Sequence, residues 1–481
     1  MLDIPKTFFN EEIRDGFCVS ELMKRSWASQ LEILDAIKQL CTKYSLRYYA
    51  DYGTLLGAVR HKGYIPWDDD LDIAMPRKDF MILLDHAEEI RDGLVIRSFY
   101  NTETYMNFNI VVTQKVDMLE WDDKRMRDYH GCPFITYVDI FPWDNVTRDE
   151  TVLKVQTGMF ELAYKLMYDL RNIEHMMFGD RLVSLGELCQ PNYMRIRQVQ
   201  ELVDGCGELR GLLREQFNGQ VTINNDERLR QQLCIAADTI AKMCPEEDAD
   251  YVEYFPYFVG DKVLKARKKK EWVETTIELP FEFSSISVPK EYVKVLETKY
   301  GEDYMIPRKF LSSHAYPFYR NEVTVLIGGD TGEMLTDTPL KDPSASSIPV
   351  DVRQRLLKEN GELKQIVLYG LSATDILNRG KPGLEQVESY LDEVEKKTNV
   401  IVFIFAPMGL RAFMTRCSLD MYQDYCELVD RIVVMENVIF DEKPSTDMLW
   451  ALISICDEYY GDKCRLAEIC EKYEVPVEIR G

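Results

Sequence analysis

The chain has 481 residues, with 58 Lys+Arg against 82 Asp+Glu, a formal net charge of −24. Acid in this excess excludes a general nucleic-acid binder, which needs a basic surface. A 46% apolar fraction excludes a disordered chain.

The length fits about two to four domains. The 12 cysteines form no C-x-x-C pair, so neither a zinc ribbon nor a dense disulfide framework is expected. The start, MLDIPKTFFNEEIRDGF, lacks the basic and apolar regions of a signal peptide. The longest apolar run, 400–406, is far short of the roughly 20 residues that cross a bilayer. A reducing cytoplasm is the expected compartment; a site at the inner face of the membrane stays open.

Met23, Trp27, Leu31, Leu34, Ile37 and Cys41 recur at steps of three and four, predicting a helix over 20–44 with Ser20 as its N-cap. A strand is expected over 46–50, a turn at 51–53, a short helix over 54–61 and a loop over 62–69. Residues 70–75 read as a strand, and Pro76 opens a helix to about 90. Further strands are expected over 94–99, 107–113 and 134–141, a mixed α/β pattern. From 149 to 242 the periodicity turns helical, with Met and aromatic stripes that read as core packing over 160–177, 193–217 and 225–243. A basic run spans 262–270, either a solvated face or a contact for an anionic substrate or headgroups. Residues 331–350 have linker composition. Beyond them, strands are expected over 365–371, 400–406, 431–435 and 475–479, and helices over 384–397, 421–428 and 445–460. That alternation predicts a small doubly wound module. Its glycine turn at 369–372 is not a dinucleotide fingerprint.

The stretch 49–80 concentrates the chemistry. Asp68, Asp69, Asp70 and Asp72 crowd at the start of a strand. Asp70 and Asp72 are expected on one face, about 7 Å apart, where their repulsion makes sense with a hard divalent cation between them. Upstream, Gly53 and Thr54 at a helix start offer backbone N–H groups and a hydroxyl to phosphate. Downstream, Asp139 interrupts an apolar strand, either as a paired structural acid or as a third ligand or general base.

These blocks resemble a known family. Residues 53–63 (GTLLGAVRHKG) followed by 65–72 (IPWDDDLD) are similar to the signature of the LicD-like phosphocholine transferases, members of the nucleotidyltransferase superfamily with a polymerase-β-type fold. Residues 138–142 match a second block, and 279–282, 288–289, 300–305 and Pro307 match distal ones. Thr54 stands where the wider superfamily often has serine, and the distal end carries only His314. The resemblance covers about 20–319. The expected fold class is therefore α/β (α+β): a nucleotidyltransferase-like mixed sheet with a helical insertion, followed by a doubly wound, Rossmann-like module. The expected divisions are a catalytic core over 1–148, a helical insertion over 149–254, the rest of the catalytic domain over 255–330, a linker over 331–350 and a module of unknown role over 351–481.

The resemblance implies Mg²⁺-dependent transfer (Mn²⁺ as the alternative) of a phospho-headgroup, with phosphocholine the first choice, from a CDP-activated donor to a hydroxyl of a glycan or lipid-linked acceptor, with CMP leaving. Asp70, Asp72 and Asp139 hold the metal, or Asp139 takes the acceptor proton. Gly53 and Thr54 cradle phosphate, and Arg60, His61 and Lys62 offset its charge. Asp68 is a further ligand or orients Lys62. Trp67 is either a loop anchor or a stacking surface for cytosine or a quaternary ammonium; Trp121 and Trp143 pose the same choice more weakly. No nucleic acid is implied, and a peripheral membrane contact remains open. Two other readings stay open: nucleotidyl transfer from an NTP to a small acceptor, and a non-catalytic scaffold that binds a CDP compound.

Overall fold

A computed structural model describes residues 1–116, 118–258, 267–308, 319–339 and 343–480. Most of the basic run (262–266) and His314 lie outside the described residues.

The chain opens with a hairpin, β1 (Glu12–Arg14) and β2 (Phe17–Val19), then the helix Glu21–Tyr44. Ser20 caps that helix, its Oγ accepting the Met23 N–H at 3.3 Å, as its position in the sequence predicts. The first sheet contains β3 (Tyr49–Ala50), β4 (Asp72–Pro76), β5 (Leu94–Arg97), β6 (Ile110–Gln114) and β7 (Tyr137–Thr147), in the order β3-β4-β7-β6-β5. Only β4 and β7 run parallel; the other neighbours are antiparallel, so the sheet is mixed. The far half of β7 continues into β8 (Ala249–Glu253), which pairs with β9 (Lys268–Lys269). A separate hairpin, β10 (Thr276–Phe281) and β11 (Ser284–Pro289), packs beside the sheet.

Between β7 and β8 lie the long helices Glu150–Phe178, Arg197–Phe217 and Leu229–Ala241, with a core of their own built from Phe160, Leu166, Leu170, Leu202 and Leu209. Much of the Met and aromatic stripe of this segment packs inward, with Phe160 and Met167 buried, whereas Tyr168 and Met176 face outward. Arg77 ties it to the sheet, pairing with Asp144 at 2.6 Å and Asp238 at 2.9 Å.

The last module is a five-stranded parallel sheet: β12 (Gln365–Gly370), β13 (Val400–Phe405), β14 (Val438–Asp441), β15 (Glu458–Gly461) and β16 (Val477–Ile479), in the order β14-β13-β12-β15-β16. Its two faces feed different cores. Val402 and Ile404 join the core of the first sheet, whereas Ile401, Phe403 and Phe405 pack on the other side. The module is therefore fused to the N-terminal half by a shared core, and Phe413 sits 5.5 Å from Trp121. The segment expected to be a free linker is likewise packed down, with Leu335 and Ile348 buried.

Two expected elements here are corrected. Residues 431–435 belong mainly to the helix Tyr422–Val434 and not to a strand. Tyr425, Leu428, Val429 and Ile432 are its buried stripe at helical spacing, while Val433 and Val434 are exposed, so a run of β-branched residues mimicked a strand. The helix expected over 445–460 ends at Ile453, and Glu458–Gly461 is instead the strand β15.

Candidate active site

Asp51 follows β3 and caps the helix Tyr52–Arg60. Its carboxylate accepts the Tyr52 N–H at 2.9 Å and the Trp143 Nε1–H at 2.9 Å, and lies 3.5 Å from Lys268 Nζ. Burial opposes its charge, but Lys268, Lys299 and these donors hold the Asp51 carboxyl below its ordinary range. Gly53 and Thr54 fall in the first turn, where N–H groups have no carbonyl partner within the helix. The Thr54 Oγ1 accepts the Asp72 N–H at 2.8 Å, locking the helix to β4. Any Cβ at Gly53 would run into the Asp68 carboxylate, so only glycine lets this acid approach the helix start.

The acid loop is held from behind by the first helix. Trp27 Nε1–H donates to the Asp68 carbonyl at 3.2 Å, and Gln30 Nε2 donates to the Asp69 carbonyl at 2.9 Å. One carboxylate oxygen each from Asp68, Asp69 and Asp70 falls within 4.8 Å of the others. Strand β4 begins only at Asp72, so Asp70 lies just before it and not within it. The expected alternation survives: Asp70 and Asp72 are half-buried and Leu71 between them is buried. Asp72 sits directly opposite Asp139 in the parallel β4–β7 register. Asp139 is half-buried, and its Oδ1 accepts from Asn109 Nδ2 at 2.5 Å.

The carboxylates repel one another. Burial, then Asp70 and Asp69, push the Asp68 carboxyl well above its ordinary range. Burial, then Asp70, Asp139 and Asp68, do the same for Asp72. This set of carboxylate oxygens suits a hard divalent cation, which would relieve that repulsion.

Gly53 and Asp68 also line a cavity of about 210 Å³ beside the acids. Leu56 and Ile65 supply apolar wall, Trp67, Tyr300 and Tyr304 aromatic wall, and Arg60 and the Asp303–Arg308 ion pair charge. Of the expected basic trio, only Arg60 reaches this cavity. Its Nη1 donates to the Tyr304 carbonyl at 3.0 Å, and no carboxylate lies in ion-pair range among the described residues. His61 is turned away, its Nε2 2.8 Å from Asp15 Oδ2, and burial followed by the nearby Arg60 lowers its pKa. Lys62 is exposed, and no bond joins it to Asp68 among the described residues. Trp67 lines the cavity while packing edge-on to Phe17 at 6.1 Å. Trp143 is an anchor, stacked on Tyr49 at 4.8 Å, and Trp121 is another, under Arg416 at 4.7 Å.

Several neighbours carried no assignment in the sequence. Lys299 rests 3.1 Å above the Tyr52 ring, and burial lowers its pKa to about 8. Tyr300, Asp303 and Tyr304 belong to a block whose resemblance was visible but whose place against Trp67 was not. Glu282 accepts the Tyr64 N–H at 3.0 Å, donates its own N–H to the Lys62 carbonyl at 2.7 Å and fills the space over Gly63.

A helix start against a carboxylate-bearing pair of parallel strands defines a candidate nucleotidyltransferase-type site, and comparison with known proteins agrees. Residues 45–181 match the family described as LicD/FKTN/FKRP, nucleotidyltransferase domain. Over 124 residues the chain is 32% identical to the lipopolysaccharide cholinephosphotransferase LicD of Haemophilus influenzae, covering 26% of this chain and 44% of that one. An uncharacterized protein of Rickettsia prowazekii is 47% identical over 119 residues, 24% of this chain and 44% of that one. The chain thus spans less than half the length of these relatives. Over residues 45–181 the chain is thus similar to LicD-family nucleotidyltransferase domains, in line with the signature residues.

Proposed function

We propose that this cleft transfers a phospho-headgroup from a CDP-activated donor to a hydroxyl of a cell-surface glycan or lipid-linked sugar. The observation that carries the reading is one carboxylate, Asp68, shared by the acid cluster and the aromatic cavity. The acceptor oxygen forms a bond to the phosphorus bearing the headgroup, the bridging P–O bond of the diphosphate breaks, and CMP departs with that bridging oxygen. Asp139, oriented by Asn109, takes the acceptor proton. Gly53 and Thr54 present first-turn N–H groups to the diphosphate, and Arg60 balances its charge from the cavity side. Mg²⁺ (or Mn²⁺) held by Asp70 and Asp72, with Asp68 adjacent, would neutralise the diphosphate; in the alternative arrangement Asp139 would complete that metal site instead of taking the proton.

Phosphocholine is the headgroup we favour. Trp67, Tyr300 and Tyr304 offer aromatic faces, and Asp68 and Asp303 offer carboxylates, the combination that receives a quaternary ammonium. The Haemophilus relative is named for cholinephosphate transfer to lipopolysaccharide. Among the described residues no helix is long and apolar enough to cross a membrane. A cytoplasmic site that meets its acceptor at the membrane face is part of the proposal.

A thermal-shift series with CDP-choline, CDP-ribitol, CDP-glycerol and CDP-ethanolamine in Mg²⁺ tests it. The cognate donor raises Tm in proportion to ln(1 + [L]/Kd). CDP-choline giving the largest rise is the expected result; no rise with any CDP compound would sink the reading.

A further inference from the structure

The C-terminal module has no part in the chemistry just described, yet one feature of it touches the N-terminal hairpin that borders the cleft. The helix Ala373–Val394 is broken at Gly380 (φ 59°, ψ −145°), with Pro382 just beyond. A break of this kind strands backbone groups that the helix would otherwise pair. Two of them are taken up by the N-terminal hairpin region. The Lys381 N–H donates to both oxygens of Glu11 at 3.2 Å, and the Arg379 carbonyl accepts from Cys18 Sγ at 3.3 Å. A Cβ at Gly380 would strike the Glu11 carboxylate.

The same hairpin grips the turn that carries the family signature. Arg14 Nη1 donates to the Tyr64 carbonyl at 3.3 Å and to Glu282 Oε1 at 2.7 Å. Asp15 holds His61 at 2.8 Å, and Phe17 packs on Trp67. Of these partners Trp67 lines the cavity, while His61 and Tyr64 belong to the turn that leads into the acid loop. In the hairpin register, Ile13 pairs with Cys18 and Arg14 with Phe17, so residues facing the module and residues facing the cleft share one two-stranded unit.

We propose that the C-terminal module is a positioning element for the cleft: its helix break anchors the Glu11–Val19 segment, and that segment holds the 61–67 turn in the geometry the acid loop and Trp67 need. The cleft being the active site rests on the reading above; the mechanical link does not.

Amide hydrogen exchange of the full chain, followed at residues 61–67, tests the link without reference to activity. Glu11→Ala removes the acceptor for the Lys381 N–H and should speed exchange of that turn about ten-fold, the factor expected for losing one hydrogen bond to a charged group in a locally opening unit. Glu11→Gln keeps an acceptor and should restore most of the protection. Gly380→Ala should act like Glu11→Ala; if it fails to fold, the Glu11 pair decides. Arg416→Ala provides the control. It cuts the exposed Arg416–Asp123 contact (3.1 Å) and the Arg416–Trp121 contact (4.7 Å) elsewhere on the interface and should leave 61–67 protected. Unchanged exchange in Glu11→Ala, or equal acceleration by Arg416→Ala, would overturn the proposal. Mn²⁺ titration of the same proteins adds the site readout: groups bonded directly to metal ligands contribute roughly ten- to a hundred-fold in affinity, and Glu11→Ala, which acts only through the hairpin and the 61–67 turn, should weaken binding by less than about ten-fold. Wild-type protein that binds no Mn²⁺ would overturn the active-site reading, while the exchange data would still decide the link.

Discussion

Asp68→Asn should stabilise the metal-free protein while weakening its response to metal. Two unit charges 4.8 Å apart, the outer limit for Asp68, Asp69 and Asp70, repel by about 3.5 kcal/mol at an effective dielectric near 20. The folded chain avoids most of this by keeping a proton on Asp68, whose pKa is raised first by burial and then by Asp70 and Asp69. The sign follows: between the ordinary value and the raised one, the folded state binds more protons than the unfolded state. Stability from this group is complete below the ordinary carboxylate range and is lost as pH rises through the folded value. Neutralising Asp68 by amide substitution therefore gains little near pH 4. At pH 8 it gains about 1–3 kcal/mol, a rise in Tm of about 2–8 °C. Thermal melts in EDTA at the two pH values measure the first half; melts with Mg²⁺ measure the second, where the wild-type rise should shrink or vanish. A variant less stable than wild type in EDTA at pH 8 would refute the idea that these acids are held together against their own repulsion.

Other substitutions probe separate parts of the site. Thr54→Val leaves the Asp72 N–H without its acceptor and should cost about 1–3 kcal/mol, with Thr54→Ser near wild type, by urea unfolding. Tyr304→Ala should raise KM for a CDP-choline donor about ten-fold and leave a CDP-glycerol donor nearly unchanged, if a cation–π contact worth ~1–2 kcal/mol is lost. Lys299, whose pKa burial lowers to about 8 from 10.5, binds fewer protons folded than unfolded between those values. Wild type should therefore gain stability from pH 8 to 10.5 relative to Lys299→Met, a difference that paired melts across this range would show.

Much of the cleft was legible because it is local. The acid run 68–72, the helix start at Gly53–Thr54 and the apolar strand around Asp139 lie in short stretches with strong patterns, and parallel pairing of β4 with β7 sets Asp72 beside Asp139. What escaped depends on contacts distant in sequence. Glu282 reaches the Lys62–Tyr64 turn from a hairpin some 220 residues away, as its separation of 218 from Tyr64 records, and nothing in its own neighbourhood announces that role. His61 looks like a phosphate ligand beside Arg60, yet Asp15 draws it into the hairpin. In the C-terminal module, 431–435 resembled a strand because β-branched residues end a helix whose buried stripe begins ten residues earlier, in the region of Met421 and Tyr425.

The acids are proposed to perform transfer from a CDP donor. The most direct measurement supplies CDP-choline, labelled in the choline phosphate, with Mg²⁺ and lipopolysaccharide, and follows both CMP and the label. Wild-type protein should release CMP in step with label appearing on the acceptor, and Asp70→Asn and Asp72→Asn should each lose about a hundred-fold or more of that rate. Undiminished transfer by both variants, or label from CTP arriving on the acceptor as the nucleotidyl group, would contradict it.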